Sequence, residues 1–336
     1  MNPIHKLLQD KDVLIADGAT GTNLFEMGLN NGASGELWCV DAPDRVRALH
    51  QSFVNAGTDI LLTNSFSSNR FRFNLHNMPE RVTELAEASA LLAREVADKA
   101  DRPIIVAGSM GPTGEMIEPL GECTQREAQD AFEEQAAALK AGGADVLWIE
   151  TMFSEQELAS AIGAADALDM PYVATMTFDT SGRTMMGLSP EDAAKNVRQH
   201  GSAPAAFGAN CGMGPAQLID TILGLVRGSN PDDVVVAKGN AGLPSMDANM
   251  HVHYDASPQE MVEYACLARD AGARIIGGCC GTSEEHLRAM AEALAIRPRQ
   301  PSPDTDRIES LLGPVKLVSD HTSAEQTRRR RQSQKM

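Results

Sequence analysis

The chain of 336 residues has few aromatic residues, few cysteines and no excess of positive charge. Aromatic residues make up 4% of it, and six cysteines are too sparse to predict a disulfide framework. The sequence contains no run of about 18 apolar residues, which would predict a membrane span. It also contains no charged-then-apolar leader, which would predict a secretory signal. We therefore expect a cytoplasmic protein without a membrane partner.

The formal net charge of −17 argues against a nucleic-acid or anionic-membrane surface, because such partners select for excess Lys and Arg. The exception is RRRR at residues 328–331, among Ser, Gln and Thr. A short basic, polar terminus is typical of exposed, disordered chain. We therefore predict no nucleic-acid partner and a C-terminal tail, partly disordered, over residues 298–336. An apolar patch at 308–312 leaves open packing on the main domain or in a homo-oligomer.

The most informative residues are three cysteines on two glycine-rich turns. Cys211 lies in GANCG (residues 208–212), and Cys279 and Cys280 lie in GGCCGT (residues 277–282). Glycine lets a backbone bend tightly and lets a metal approach closely, and adjacent cysteines bridge each other only with strain. Three thiols predict a zinc site with one position open, as in catalytic rather than structural zinc. The other three cysteines read as ordinary buried residues: Cys39, Cys123 and Cys266.

Short apolar, β-branched runs alternate with stretches of helical periodicity. The predicted strands cover residues 13–17, 59–64, 104–109, 145–151, 172–177, 205–210, 234–238 and 274–278. The predicted helices cover residues 43–56, 80–99, 124–141, 154–168, 190–199, 215–226, 258–271 and 284–294. Eight such alternations predict an α/β fold, a single (β/α)8 TIM barrel over residues 1–297.

Residues at the ends of the predicted helices support these boundaries. Ser189 and Ser257 each precede a proline, and Thr124 stands three residues before Glu127, which are signatures of helix N-termini. Ala-Gly pairs at residues 56–57, 141–142 and 271–272 are typical of helix C-termini.

In a barrel of this kind the active site lies at the carboxyl ends of the strands. Polar residues close many of the predicted strands: Asp17, Thr63, Asn64, Glu150, Cys211, Asn240, Cys279 and Cys280. The sixth and eighth strands are near neighbours on the ring, so their three thiols can reach a common metal. The sequence therefore predicts a zinc site at the mouth of the barrel.

Seven motifs occur in order along the chain: DGATGT (17–22), LTNSF (62–66), GPTGE (111–115), WIET (148–151), NCGMGP (210–215), NAG (240–242) and GCCGT (278–282). They resemble the homocysteine S-methyltransferase family, which includes betaine-homocysteine methyltransferase, the S-methylmethionine enzymes and the homocysteine module of cobalamin-dependent methionine synthase. The resemblance runs over about residues 10–297. It implies that Cys211, Cys279 and Cys280 bind Zn²⁺, that homocysteine thiolate is the fourth ligand, and that its sulfur is methylated to give methionine.

The resemblance also implies roles for residues around the metal. Glu150 matches the carboxylate that holds the homocysteine ammonium, and Asp17 with the amides of Gly18 and Ala19 matches the loop at the amino-acid end. Thr63 closes the second predicted strand and is expected to contact the substrate.

The fourth metal position before substrate binds has one candidate from the resemblance. Asn240 matches an asparagine that can occupy it, whereas Thr151 stands where the betaine enzymes can use a Tyr. His251 and His253, spaced as His-x-His after the seventh strand, offer a competing metal site, but we expect them to be exposed loop residues. Closure of that loop over the mouth is a further hypothesis.

The methyl donor is expected to be a diffusing small molecule, or a separate corrinoid protein if the barrel stands alone. Betaine would be recognised by aromatic faces through cation–π attraction. Trp38 matches an aromatic residue of the betaine pocket, whereas Ser67 replaces a second one, with Phe66 beside it. We expect betaine as the donor. Sulfonium donors, such as S-methylmethionine or dimethylsulfoniopropionate, and a methyl-corrinoid protein remain alternatives.

Two other functional classes fit part of the pattern. A non-catalytic zinc or thiol sensor would need the cysteines, but not Glu150, Asp17 and Asn240 at the same opening. A zinc hydrolase is disfavoured because three thiolates leave zinc-bound water less acidic than histidine ligands do. We therefore expect an enzyme that transfers a methyl group.

Overall fold

The computed structural model describes residues 2–30, 32–246 and 252–315. Its main sheet has eight parallel strands: β1 (Leu14–Ile15), β2 (Ile60–Leu62), β3 (Ile105–Met110), β4 (Val146–Met152), β5 (Tyr172–Met176), β6 (Ala206–Cys211), β7 (Val235–Gly239) and β10 (Ala273–Gly278). A separate antiparallel hairpin consists of β8 (Ser245–Met246) and β9 (Val252–His253). The sheet order is β1-β10-β7-β6-β5-β4-β3-β2, and a parallel bridge between Ala16 and Ile60 joins its two ends. The predicted α/β TIM barrel is therefore confirmed.

The helices surround this barrel. They are α1 (Pro3–Leu7), α2 (Thr20–Glu26), α3 (Trp38–Asp41), α4 (Pro43–Asn55), α5 (Arg70–Asn74), α6 (Val82–Ala97), α7 (Gln125–Ala141), α8 (Glu155–Ala167), α9 (Pro190–Asn196), α10 (Pro215–Gly228), α11 (Pro258–Ala271), α12 (Glu284–Ile296) and α13 (Thr305–Leu312). The eight predicted helices correspond to α4 and α6–α12, with boundaries shifted by a few residues. Five helices were not predicted: α1, α2, α3, α5 and α13. The first four are too short to show periodicity, and α13 lies in the segment that was predicted as a partly disordered tail.

The helix ends form as the sequence predicts. Thr124 and Ser257 each make a reciprocal capping box with the glutamate three residues later, and Ser189 accepts a hydrogen bond from the Asp192 amide. Gly272 ends α11 in the left-handed conformation, with φ of +117°.

The barrel interior is filled by a second core, separate from the layer between strands and helices. Its largest side chain is Trp148 of β4, which is fully buried. Close approach of β6 and β7 depends on Gly208, because a Cβ there would lie 2.0 Å from the Val236 carbonyl oxygen. The interior is therefore a packed support beneath the mouth of the barrel.

Residues after the last barrel helix fold back on the barrel. In α13, Ile308 is buried, and Arg307 donates a hydrogen bond to Asp270 of α11. The helix thereby covers part of α10 and α11. Over the described part of the chain, none of the helices combines the length and the apolar character that crossing a bilayer would require.

Candidate functional site

A cavity of about 420 Å³ opens at the carboxyl ends of the barrel strands. This volume lies within the roughly 300–1,000 Å³ typical of small-molecule sites. Its lining brings together most of the predicted site residues: Gly18, Ala19, Thr63, Glu150, Cys211, Cys279 and Cys280. Three predicted residues do not line it: Asp17, Trp38 and Asn240.

The three thiols form one cluster at the wall of this cavity. Cys211 ends β6, and Cys279 and Cys280 follow β10, with only β7 between the two strands. The Cys211 Sγ atom lies 3.2 Å from Cys279 Sγ and 3.9 Å from Cys280 Sγ, and all three lie within 4.8 Å of one another. Sulfurs bound tetrahedrally at about 2.3 Å from zinc would be about 3.8 Å apart. The cluster is therefore compatible with one shared metal ion.

The thiols also hydrogen-bond one another. Hydrogen bonds from Cys211 and Cys279 lower the pKa of the Cys280 thiol despite its burial, and a hydrogen bond from Tyr254 acts in the same direction. The pKa values of Cys211 and Cys279 are instead raised, so the three thiols differ in the direction of their shifts.

Asn240 links the two turns that carry the cysteines. Its Nδ2 atom donates to the Gly212 carbonyl at 3.0 Å, and its Oδ1 atom accepts from the Cys280 amide at 3.0 Å. Both ends of the side chain are thus engaged by backbone groups next to the thiols. In this arrangement Asn240 holds the two turns together and does not face the cavity.

A buried charge cluster lies at the floor of the cavity. Lys238 of β7 pairs with Asp17 at 2.7 Å, and the Leu62 amide donates to the other Asp17 oxygen at 2.7 Å. Glu150 accepts a hydrogen bond from Ser109 at 2.5 Å. Two carboxylates and one ammonium leave the floor with a single negative charge when all three are ionised.

Burial shifts the pKa values in this cluster. Desolvation raises the pKa of Glu150 to about 7, although the positive charge of Lys238 opposes it. Desolvation likewise raises the pKa of Asp17. For Lys238, burial lowers the pKa, but the carboxylates of Asp17 and Glu150 outweigh it, so the net shift is upward and the ammonium is retained. Lys238 also lies over the Trp148 ring, 5.6 Å from its centre.

The loop after β1 is already held by the loop after β10. The Ala19 amide donates to the Thr282 carbonyl at 3.1 Å, so it is engaged within the protein. Thr63 bonds Ser65 through its hydroxyl and accepts from the Ser109 amide at 2.9 Å. These loops therefore form a hydrogen-bonded wall of backbone and hydroxyl groups on one side of the cavity.

The strand end that carries Glu150 has an unusual backbone. The pairing of β4 with β5 shifts register between Ile149 and Met152, and Thr151 within this bulge has φ of +63°. Asn210 holds the bulge: its Oδ1 atom accepts from the Thr151 amide at 2.8 Å, and its Nδ2 atom donates to the Thr151 hydroxyl at 2.7 Å.

The aromatic residues expected around the donor are only partly at the cavity. Trp38 packs beside Cys39 at the edge of a small cluster, and the Arg45 guanidinium lies over its ring at 4.7 Å. Phe66 lines the cavity, as does Phe25, which was not predicted as a site residue. Trp38 is therefore not part of the cavity wall in this structure.

Four polar residues near the cavity were missed from the sequence: Glu36, Ser109, Asn210 and Lys238. Lys238 had a signal, because it is the one charge within the apolar run of its strand. Asn210 stood next to Cys211 but was read only as part of a motif. Glu36 and Ser109 carried no signal, because their carboxylate and hydroxyl reach the cavity only through the fold.

The predicted loop after β7 is described only at its edges. His253 lies in β9 and is exposed, whereas His251 lies outside the described residues, so the expectation that it is exposed stays a prediction. Residues 316–336 of the predicted tail lie outside the described residues too.

Comparison with known proteins bears on the family of this chain. The family profile described as homocysteine S-methyltransferase matches residues 14–294. The chain is 30% identical over 326 residues to methionine synthase of Mycobacterium tuberculosis, covering 92% of this chain and 27% of that protein. Methionine synthase of Mycobacterium leprae is likewise 30% identical over 299 residues, covering 84% of this chain and 24% of its own. The chain thus spans about a quarter of the length of these relatives.

The fold also has a solved counterpart. The metallated form of the homocysteine methyltransferase MmuM from Escherichia coli superposes with a TM-score of 0.73 at 24% identity, covering 87% of this chain and 99% of that one. This likeness concerns the fold. Because the family profile spans most of the chain, and two relatives reach 30% identity, the chain belongs to the homocysteine S-methyltransferase family.

Proposed function

We propose that this protein transfers a methyl group to the sulfur of homocysteine, giving methionine, with zinc held by Cys211, Cys279 and Cys280. The observation that carries the proposal is the meeting of these three thiols and the Glu150 carboxylate in one cavity. A sensor would need the thiols alone, whereas an amino-acid thiol needs a metal for its sulfur and an anion for its ammonium.

The donor set suits zinc. Sulfur ligands select Zn²⁺ over hard cations, and three protein ligands leave one position for a substrate. Bound there, zinc would act as a Lewis acid that keeps the substrate thiol deprotonated at neutral pH. Asn240 supports this site from behind, since its amide joins the backbone beside Cys211 to the backbone of Cys280.

The charges at the floor orient the substrate. Lys238 neutralises Asp17 through a buried ion pair, which leaves Glu150 as the carboxylate that is free to meet the homocysteine ammonium. Binding that ammonium would lower the pKa of Glu150 from about 7, because a nearby positive charge favours the carboxylate. The amino-acid end and the sulfur end are thus held by different walls of one cavity.

The reaction is a displacement at the methyl carbon. A lone pair of the homocysteine thiolate forms the S–CH₃ bond, and the electrons of the breaking bond leave with the donor's nitrogen or sulfur. With betaine, the leaving group is dimethylglycine. Fixing both ends of the acceptor supplies the positional part of catalysis, and the step needs no general base because the thiol is already deprotonated.

We propose a small onium compound as the donor, with betaine as the first to test. The cavity that holds the thiols also has the ring of Phe66 and the buried carboxylate of Glu36 in its lining. An aromatic face and a negative charge both favour a cation. Because Trp38 lies outside this lining, the wall does not distinguish betaine from a sulfonium of similar size.

A second candidate is a methyl group delivered by a carrier on another domain or protein, such as a methyl-corrinoid. The observation favouring it is the 30% identity to methionine synthases of which this chain covers 27% or less. In that case the onium-binding features would be incidental, and a protein surface would meet the mouth of the barrel.

The test is methionine formation by reduced, zinc-loaded protein with homocysteine and, in parallel, betaine, S-methylmethionine, dimethylsulfoniopropionate or a methyl-corrinoid. We expect turnover with one onium donor, abolished by Cys280→Ala. Cys266→Ala, a buried cysteine of α11 away from the cavity, is the matched control and should keep the activity. Turnover with the methyl-corrinoid alone would favour the second candidate, and none with any donor would contradict the proposal.

A further inference from the structure

Asn210 lies between two backbone positions of unusual geometry. Thr151 has φ of +63° and Cys211 has φ of +60°, both in the left-handed region. For a β-branched residue such as Thr151 this conformation is an outlier and is strained. Such a conformation persists only where surrounding contacts fix it. The contacts that fix Thr151 come from the Asn210 side chain.

All the hydrogen-bonding capacity of the Asn210 amide is in use. Oδ1 accepts from the Thr151 amide at 2.8 Å and from the Thr175 hydroxyl at 2.7 Å. Nδ2 donates to the Thr151 hydroxyl at 2.7 Å and lies 3.7 Å from Cys279 Sγ. The side chain has no exposed surface. A buried amide with two acceptor and two donor contacts has one preferred orientation.

These contacts connect the two ends of the proposed substrate site. Thr151 follows Glu150 within the bulge of β4, so fixing Thr151 fixes the direction of the Glu150 side chain. Cys279 belongs to the thiol cluster, and Cys211 is the next residue after Asn210. One side chain therefore contacts the carboxylate's strand and the cluster together.

We propose that Asn210 is a positioning residue that sets the separation between the Glu150 carboxylate and the thiol cluster, and thereby the affinity for an amino-acid thiol of homocysteine's length. This inference rests on the proposed function and deepens it. The distance between Glu150 and the thiol cluster must match the distance between the ammonium and the sulfur of one small molecule. If the bulge at Thr151 relaxed, that match would be lost. Asn210 does not contact the substrate in this proposal. It acts through Glu150, which makes the contact with the ammonium.

The experiment is a double-mutant cycle on homocysteine binding, measured by calorimetry with zinc-loaded, reduced protein. We expect Asn210→Ala to raise the Kd about tenfold when Glu150 is present. In the Glu150→Gln background the same change should alter the Kd by less than about threefold, because the group it positions is gone. Asn210→Asp keeps an acceptor for the Thr151 amide and loses both donor contacts, so we expect an intermediate Kd.

A merely structural effect is distinguished by Ile308→Ala, which removes a buried side chain from α13 and should lower stability while leaving the Kd unchanged. The positioning role would be overturned if the Kd rose equally in both backgrounds, or if it did not rise for either Asn210 variant. In those cases, homocysteine binding by the unsubstituted protein would still support the proposed function. Failure of the unsubstituted protein to bind homocysteine would overturn both.

Discussion

At the scale of single residues, the buried charges determine how the cavity meets its substrate. Lys238 and Asp17 are both almost fully buried and lie 221 positions apart in the sequence. Desolvating two ions costs several kcal/mol each, and the pair is tolerated because each ion compensates the other. The Lys238–Asp17 pair therefore has no net charge, and the charge of Glu150 remains available to bind a cation.

Removing one partner of this pair should be much worse than removing both. We expect Lys238→Met to lower the free energy of unfolding by about 3–5 kcal/mol, because it leaves Asp17 buried without a cation. Asp17→Asn combined with Lys238→Met should recover a large part of that loss. Denaturant unfolding measures both. Lys195→Met, which breaks an exposed pair with Glu191, is the control and should leave the free energy of unfolding almost unchanged, because solvent screens such a pair. Equal losses for the single and double variants would contradict this account.

His50 of α4 should make stability depend on pH. It is fully buried, neither ring nitrogen has a hydrogen-bond partner among the described residues, and desolvation lowers its pKa to about 4. The unfolded chain has a pKa of about 6.5 at this residue, so between these values the unfolded state binds more protons and stability falls as the pH falls. The full effect is roughly 3 kcal/mol, present above pH 6.5 and lost by about pH 4.

His50→Leu checks this expectation. The variant should lose the pH dependence that His50 contributes between about pH 4 and 6.5, measured by denaturant unfolding at several pH values. His5, an exposed residue whose ring nitrogens contact the Asn2 side-chain amide and the Ala205 carbonyl, provides the comparison: His5→Leu should leave the contribution of His50 in place. An unchanged pH profile in His50→Leu would show that another group controls it.

At the scale of elements, the sequence predicts the helices and strands that depend on residues close together along the chain. The eight predicted strands and eight predicted helices all form, because apolar periodicity, N-terminal caps such as Thr124 and C-terminal glycines such as Gly272 act within a few residues. The short helices were missed, because α2 begins in the glycine-containing loop after β1 and has no side-chain cap. The bulge at Thr151 was also missed, since it is imposed by Asn210 from another strand.

The helix α13 should stabilise the barrel from outside. Ile308 is buried, whereas Leu311, one turn along the same helix, is 40% exposed. We expect Ile308→Ala to lower the free energy of unfolding by about 2 kcal/mol or more through the cavity it leaves, and Leu311→Ala to cost less than about 0.5 kcal/mol. Chemical denaturation compares the two. Equal costs would mean that α13 does not pack on the barrel in solution.

At the scale of the whole molecule, metal binding should be coupled to folding. Cys211 and the Cys279-Cys280 pair come from strands that meet only in the closed barrel, so an ion bound by all three favours the folded state. At a free zinc concentration 100-fold above the Kd, linkage gives about 2.7 kcal/mol of added stability. We expect chelation to lower the unfolding midpoint and zinc to restore it, as measured by thermal unfolding.

Cys280→Ala is the variant that tests this coupling, because it leaves two thiols of the cluster. Its unfolding midpoint should respond much less to zinc, whereas Cys266→Ala should respond as fully as the unsubstituted protein. The same shift in all three proteins would place the zinc elsewhere on the chain.

Neighbouring residues encode the alternation of strands and helices, the barrel that follows from it, and the three thiols on glycine-rich turns, so all of these could be predicted. The meeting of particular side chains could not be predicted and became visible only in the folded barrel. It pairs Lys238 with Asp17, joins Asn210 to Thr151, engages Asn240 with backbone on both sides, and leaves Trp38 outside the cavity lining. The physical reason is that these contacts depend on strand register and loop packing around the closed ring, which no local pattern contains.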